Sequence, residues 1–153
     1  MKRLSKLRKV AEYLNTFSLP GWPDIVPVRV VDGENATSQL TNAAGDQVLA
    51  AIPEARDSGR NTDAFSESVS SAFFVLAKIN GPARTVELAD ETYLRLLEVS
   101  QAILDKLEAD LTGGETGMPC PQLAGLSLTE AYIVPEYSVF GGWSGWSLEI
   151  TLD

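Results

Sequence analysis

The sequence predicts an α+β domain in which one antiparallel or mixed β-sheet of about five strands carries a long amphipathic helix and a shorter N-terminal helix. Three observations support this class. A helical period of apolar residues runs over 90–111, a second runs over 1–17, and strand-like alternation recurs within 25–80 and 124–153. At 153 residues the chain suits a single domain with its own core, so we treat 1–153 as one unit.

The stretch 90–111 is the strongest helix signal, and we expect this helix to lie across the sheet. Its stripe has apolar or small residues at steps of three and four, Tyr93, Leu97, Ser100, Leu104, Leu107 and Leu111, and it is widened by Leu94, Leu96 and Ile103. Asp90 is predicted to cap the first turn, and Gly113-Gly114 to end the helix because glycine adopts positive φ readily.

The N-terminal helix, 1–17, has an apolar side and a basic remainder. Five of the twelve basic residues of the chain lie at its start: Lys2, Arg3, Lys6, Arg8 and Lys9. One interpretation is that the apolar side packs on the domain while water solvates the lysines. The other is that the basic face docks on an acidic neighbouring subunit, a phosphate or a nucleic acid.

Strands are predicted at 25–31, 47–52 and 67–80, with exposed loops at 32–46 and 53–66. Pro27 places the first strand at a sheet edge or makes it begin late, because proline has no N–H to donate. The strand at 67–80 is apolar on both faces, which predicts cover on both sides. The long helix covers one face, and either the N-terminal helix or another subunit covers the second.

The C-terminal region, 124–153, is predicted to form a β-hairpin. The linker 113–122 is rich in glycine and proline, and two alternating runs follow, at 126–134 and 146–152. Gly141-Gly142 supplies the turn between them.

Composition excludes several kinds of chemistry. The chain has no histidine, which removes the usual triads, histidine bases and His-containing metal sites, and its one cysteine, Cys120, permits no internal disulfide. A net charge of −9 argues against tight binding of nucleic acid over the whole surface. No signal peptide, membrane span, catalytic motif or cofactor motif is recognisable. We therefore expect a cytoplasmic protein without enzymatic activity, cofactor or bound metal.

The order of these elements, with the close Phe140-Gly141-Gly142-Trp143-Ser144-Gly145-Trp146, resembles the tail-terminator and tail-completion (neck) proteins of tailed bacteriophages and prophages. The comparison rests on nearly the whole chain: the basic N-terminal helix, the loops at 32–46 and 53–66, the helix 90–111 and the aromatic and glycine ending. The resemblance implies a homo-oligomeric ring, expected to be a hexamer, that caps the tail tube and contacts the head connector. It implies a location in the virion and the bacterial host cytoplasm, with DNA passing nearby.

Subunit or partner contacts are expected at basic, apolar and aromatic positions in the predicted loops, helix and strands. They are Lys2, Arg3, Lys6, Arg56, Arg60, Phe74, Leu76, Trp143 and Trp146.

Two other functions remain open at this point. One is a small-molecule-binding module with an aromatic pocket between sheet and helix, lined by Phe73, Phe74, Tyr93, Tyr132 and Trp146. The other is an enzyme with paired carboxylates drawn from Asp57, Asp63, Glu67, Glu130 and Glu136, although nothing in the sequence brings one pair together.

Overall fold

The computed structural model describes residues 3–19, 21–22, 25–58, 66–78, 86–114 and 117–153. It confirms the α+β class, with a six-stranded mixed sheet and the long helix packed on it. In chain order the elements are α1 (Arg3–Thr16), β1 (Val28–Val30), α2 (Gly33–Leu40), β2 (Gln47–Ala51), β3 (Glu54–Ser58), β4 (Ser66–Lys78), α3 (Val86–Thr112), a 3-10 turn (Pro121–Leu123), β5 (Leu128–Val139) and β6 (Trp143–Leu152).

The sheet has the order β1-β2-β4-β6-β5, and β3 pairs with β4 beyond the end of β2. β1 pairs with β2 in parallel, and every other pairing is antiparallel. Pro27 directly precedes β1, which starts late and lies at an edge of the sheet, as its lack of an N–H predicted. β2 and β3 pair with the same edge of β4, one after the other, and Ile52 and Pro53 separate them in the chain.

The front face, which we define as the face that carries α1 and α3, holds the main core. Phe73 of β4 is fully buried there, and its ring lies 5.3 Å from the ring of Phe17, which follows α1. The rest of this core is aliphatic and comes from both helices and the three central strands, chiefly Val10, Leu14, Val48, Val69, Val75, Leu96, Val99, Ile103, Leu107, Leu148, Ile150 and Leu152. Both predicted helices are thus on the same side of the sheet.

Two details of α3 correct the prediction. The helix begins at Val86, so Asp90 lies inside it and does not cap its first turn. Its most buried stripe contains the predicted Leu96, Ile103 and Leu107 but also Val99, which was not predicted. The predicted Tyr93, Leu97 and Leu104 are half-buried, and Leu94 is exposed. The apolar residues at 93, 94, 96 and 97 spread over nearly half of the helix circumference, so periodicity alone did not fix its rotation. Gly113 ends α3 as predicted, at φ 85°.

The back face of the sheet corrects the prediction for 32–46. This segment contains α2, in which Asp32 accepts a hydrogen bond from the Asn35 N–H at 2.8 Å as the N-cap. Ala36 and Leu40 are buried in a second core with Leu49, Leu76 and Trp143. The second apolar face of β4 is therefore covered in part by α2, not by α1. With only two buried residues, α2 has no helical stripe to recognise in the sequence.

The predicted loop at 53–66 is also corrected in part, because β3 occupies Glu54–Ser58 and pairs with β4. In the C-terminal hairpin, both strands are longer than predicted. The turn between them lies at Phe140–Gly142, with Gly141 at φ 87° and Gly142 at φ 102°, which confirms the glycine turn.

Candidate functional site

The back face of the sheet divides into two halves along β4 and β6. One half is covered by α2. The other half carries no helix in the described part of the chain, and we call it the open face. It comprises Ile52, Glu54, Ser70, Ala72, Glu130, Tyr132, Glu149 and Thr151. The strand register places Ser70 beside Thr151 and Ala72 beside Glu149, with Tyr132 on the far side of Glu149.

The open face forms a shallow concavity of about 390 Å³. Two large apolar side chains border it, and both are solvent-exposed, at 52% for Ile52 and 55% for Tyr132. Between them, the hydroxyl groups of Ser70 and Thr151 form a hydrogen bond across the strands, with their oxygens 3.2 Å apart. A surface with exposed apolar groups at its border and small residues at its centre offers area for contact with another molecule.

The charge of the open face is negative. Three carboxylates line the concavity, those of Glu54, Glu130 and Glu149, and its described lining includes no lysine or arginine side chain. Glu130 and Glu149 are exposed to solvent. A partner that binds here would therefore gain from basic groups at its own surface.

The neighbouring sheet edge is less suited to binding a further strand. β5 pairs with β6, and its other side faces outward in the described part of the sheet. Pro135 removes one N–H donor from β5, and register shifts between Leu128 and Glu130 and between Glu136 and Val139 break the ladder. Prolines and bulges at an edge hinder strand addition. Contact through the open face is therefore better supported than extension of the sheet.

The predicted contact residues are distributed differently. Lys2 and Arg60 lie outside the described residues, and the side chains of Arg3 and Arg56 are not described. Lys6 is half-buried on α1.

Leu76 and Trp143 are buried beneath α2 and have essentially no surface for a partner. Phe74 is half-buried, and its ring meets the ring of Phe140 edge-on at 5.2 Å.

Trp146 connects the C-terminal hairpin to α3 through a hydrogen bond and a ring contact. Its indole N–H donates to the carbonyl oxygen of Tyr93 at 2.8 Å, and the two rings meet edge-on at 5.6 Å. The Tyr93 hydroxyl in turn donates to the carbonyl oxygen of Glu136 on β5 at 2.7 Å. Trp146 therefore contributes to the packing of strand against helix, on the front of the sheet.

Two exposed apolar residues of the open face, Ile52 and Tyr132, were not singled out as contacts from the sequence. In β5, Ala131 and Ile133 alternate with Tyr132 and Val134, so both faces of this strand are apolar in sequence. Alternation therefore could not indicate which face was covered. The sequence signal that did exist is the row of small or polar residues at Ser70 and Ala72, before the large residues of β4 begin.

The five aromatic residues proposed to line a pocket do not line a common cavity. Phe73 and Phe74 are consecutive in β4, so their side chains point to opposite faces of the sheet. Tyr93 and Trp146 meet on the front, whereas Tyr132 lies on the back.

The proposed catalytic carboxylates also have separate surroundings. Glu130 lies in the open face, and Glu136 accepts a hydrogen bond from the Ser147 hydroxyl at 2.9 Å. Asp63 and the side chains of Asp57 and Glu67 lie outside the described part.

A polar network fixes α1 to the end of α3, behind the open face. The Tyr13 hydroxyl donates to a carboxylate oxygen of Asp110 at 2.7 Å, and the Lys106 ammonium lies 2.9 Å from the same oxygen. Burial, with the hydrogen bond to Asp110, raises the pKa of Tyr13 well above its usual range. The Cys120 N–H donates to the Asp110 carbonyl oxygen at 2.8 Å, so this network also holds the linker after α3.

A second ion pair connects α3 to the start of β2. Arg95 donates two hydrogen bonds to the Asp46 carboxylate, each at 2.9 Å. This bidentate pairing raises the pKa of Arg95, so the guanidinium stays charged at any ordinary pH.

Comparison of the sequence with models of known protein families gave no match, and none of the curated proteins matches it either. Within the described ranges, no helix combines the length and the apolar character needed to cross a bilayer. The same ranges hold no group of three or more histidine, cysteine, aspartate or glutamate side chains placed to bind a metal ion.

Proposed function

We propose that this chain is a non-enzymatic assembly protein that acts as an oligomer, specifically a terminator or completion protein of a phage or prophage tail. In this role a ring of subunits caps the tail tube and joins it to the head connector, within the virion and the host cytoplasm. The observation that carries the proposal is the open face, half of one face of the sheet over which the described residues place no helix, bordered by exposed Ile52 and Tyr132. Ring-forming proteins need such self-complementary or complementary surfaces.

Two further features support an assembly role over binding of nucleic acid. The net charge of −9 repels a polyanion over most of the surface, so DNA would pass along an acidic ring without being held tightly. The basic residues are concentrated at the N-terminus instead, where Arg8 keeps 83% of its side chain exposed. This local charge can bind an acidic surface of another subunit. The element order that resembles tail terminators supports the assembly role.

Two measurements test the proposal. Light scattering on the purified chain is expected to give a mass several times that of the 16.5 kDa subunit. When the tail-tube protein of the same phage or prophage is allowed to polymerise, added chain is expected to shorten the tubes and to appear at one of their ends in electron micrographs.

A strictly monomeric chain that leaves the length of the tubes unchanged would contradict the proposal. A chain that forms rings but does not affect tubes would support the assembly role and contradict the tail-terminator role. Bovine serum albumin at equal mass serves as the crowding control in the tube assay.

A further inference from the structure

The open face and the basic helix α1 lie on opposite sides of the same strands. α1 packs against β3 and β4 on the front, and Glu54, Ser70 and Ala72 of these strands contribute to the open face on the back. Each molecule therefore presents the basic residues of α1 on one side of the sheet and the acidic open face on the other. A contact between two such surfaces joins different patches of the two molecules, so it is heterologous and repeats head to tail.

We propose that the open face of one copy binds the basic side of α1 from a second copy. The proposal rests on the oligomer of the proposed function and names the two surfaces that form its subunit contact. On the helix side, the described basic groups that reach the surface are Lys6, Arg8 and Lys9. On the acidic side, the carboxylates of Glu130 and Glu149 are exposed on adjacent strands.

The shapes of the two surfaces agree with this pairing. A helix is a convex rod about 10 Å in diameter, and the open face is a concavity that no helix of its own chain fills in the described part. On the same face of the same sheet, α2 fills the adjoining half in an equivalent position. A helix from a second copy would thus continue the layer that α2 begins. Ile52 and Tyr132 would pack against the side of that helix.

The existing partner of Arg8 does not compete strongly with the contact. Arg8 lies 3.3 Å from Glu12 one turn along α1, but both side chains are mostly exposed, at 83% and 56%. Exposed pairs of this kind contribute little to stability, so the guanidinium can exchange Glu12 for a carboxylate of the second copy at small cost. The interrupted edge of β5 argues further that the copies meet through faces and not through paired strands.

Charge reversal followed by recombination tests the proposal. The helix variant carries R8E and K9E, the face variant carries E130K and E149K, and the control variant carries E98K and E108K on the exposed side of α3. Each variant is compared with the natural chain by light scattering at about 50 and about 500 mM NaCl, because screening at the higher salt weakens contacts between exposed charges. Circular dichroism confirms that each variant is folded.

We expect the helix variant and the face variant each to lose the oligomer at low salt, with a dissociation constant raised about 100-fold or more by like charges at the contact. The control variant is expected to keep it. A 1:1 mixture of the helix and face variants is expected to regain the oligomer, since every contact in an alternating assembly then joins opposite charges. One chain that carries all four substitutions is expected to regain it as well.

Three results would overturn the proposal. The first is a helix variant that keeps the natural mass, which would indicate contact between identical faces. The second is a mixture that does not regain the oligomer. The third is a helix variant whose mass is unchanged but which no longer shifts short duplex DNA in a gel. That result would show that α1 binds nucleic acid. If the natural chain forms rings and caps tubes while these variants behave like the control, the proposed function stands and only this contact is wrong.

Discussion

The two halves of the back face are built on the same strands but differ in side chains and in cover. Toward one end of β4, Phe74 and Leu76 face α2, and Trp143 of β6 joins them in the second core. Toward the other end, Ser70 and Ala72 occupy the equivalent alternate positions, and no helix of the described segments lies above them. Side-chain size on this face of β4 thus differs between the two halves: large residues lie in the half that α2 covers, and small residues lie in the other. The comparison teaches that, among the described residues, side-chain size along β4 follows the difference in cover.

The largest expected effect concerns the covered half. Trp143→Ala is expected to lower the free energy of unfolding by about 3–5 kcal/mol, because it removes a fully buried ring and leaves a cavity under α2. Urea denaturation followed by circular dichroism measures this change. If Trp143 can be removed at a cost below about 1 kcal/mol, α2 does not close this half of the sheet and the contrast between the halves fails.

The next effect lies in front of the open half, where Tyr13 joins α1 to Asp110. Below a pH of about 10, Tyr13 is neutral in the folded and unfolded states. Above it, tyrosine ionises in the unfolded chain while the raised pKa keeps Tyr13 neutral in the fold, so stability falls as pH rises. This contribution amounts to about 1.4 kcal/mol for each pH unit.

Tyr13→Phe is therefore expected to reduce stability by about 1 kcal/mol near pH 8, through the lost hydrogen bond, and to lose less stability than the natural chain between pH 10 and 11. Denaturation at a series of pH values measures both. If the two proteins lose the same amount of stability between pH 10 and 11, Tyr13 titrates normally and α1 is not held as described.

A smaller change tests α2 itself. Asp32→Ala removes the side chain that accepts the Asn35 N–H, and the loss of an N-cap costs about 1 kcal/mol. Hydrogen exchange is expected to show faster exchange in 33–40 and in the strands of the covered half, with no change at the open face. Asp32→Asn is the matched control, since its side-chain oxygen can still cap. Equal exchange in both variants would show that the cap does not hold α2 in place.

Much of this fold could be predicted from the sequence, because its longest elements carry strong periodic signals. The alternation in β4 and β6, the glycines at 141–142 and the long stripe of α3 all gave elements of the right type. α2 could not be predicted in the same way, because two residues, Ala36 and Leu40, supply all of its described buried surface. β3 was missed because Glu54–Ser58 has almost no apolar residue, and its pairing with β4 is what forms it.

The candidate site was less predictable than the fold, for the same physical reason. Whether Tyr132 or Leu76 is exposed depends on where a short helix from another part of the chain comes to rest. Both residues alternate correctly in their strands, but Leu76 lies on the central strand β4 under α2, whereas Tyr132 lies on the edge strand β5 away from α2. Tyr132 is 55% exposed and Leu76 is fully buried. Local pattern specifies the face of a strand, whereas cover is a tertiary property.

The smallest expected change in stability concerns the open half. Tyr132→Ala is expected to change the free energy of unfolding of the dilute chain by less than about 0.5 kcal/mol, because the side chain is largely exposed on an edge strand. The same substitution is expected to lower the mass measured at high concentration, since it removes apolar area from the subunit contact. A large loss of stability without any change in mass would place Tyr132 in the core of one subunit.

Side-chain footprinting with hydroxyl radicals, compared between dilute and concentrated protein, tests most directly whether the open face is a subunit surface. The account predicts that labelling of Tyr132 and Ile52 falls several-fold at the concentration where the mass rises, while labelling of exposed Leu94 on α3 stays constant. Unchanged labelling of Tyr132 and Ile52 across that rise in mass would contradict it.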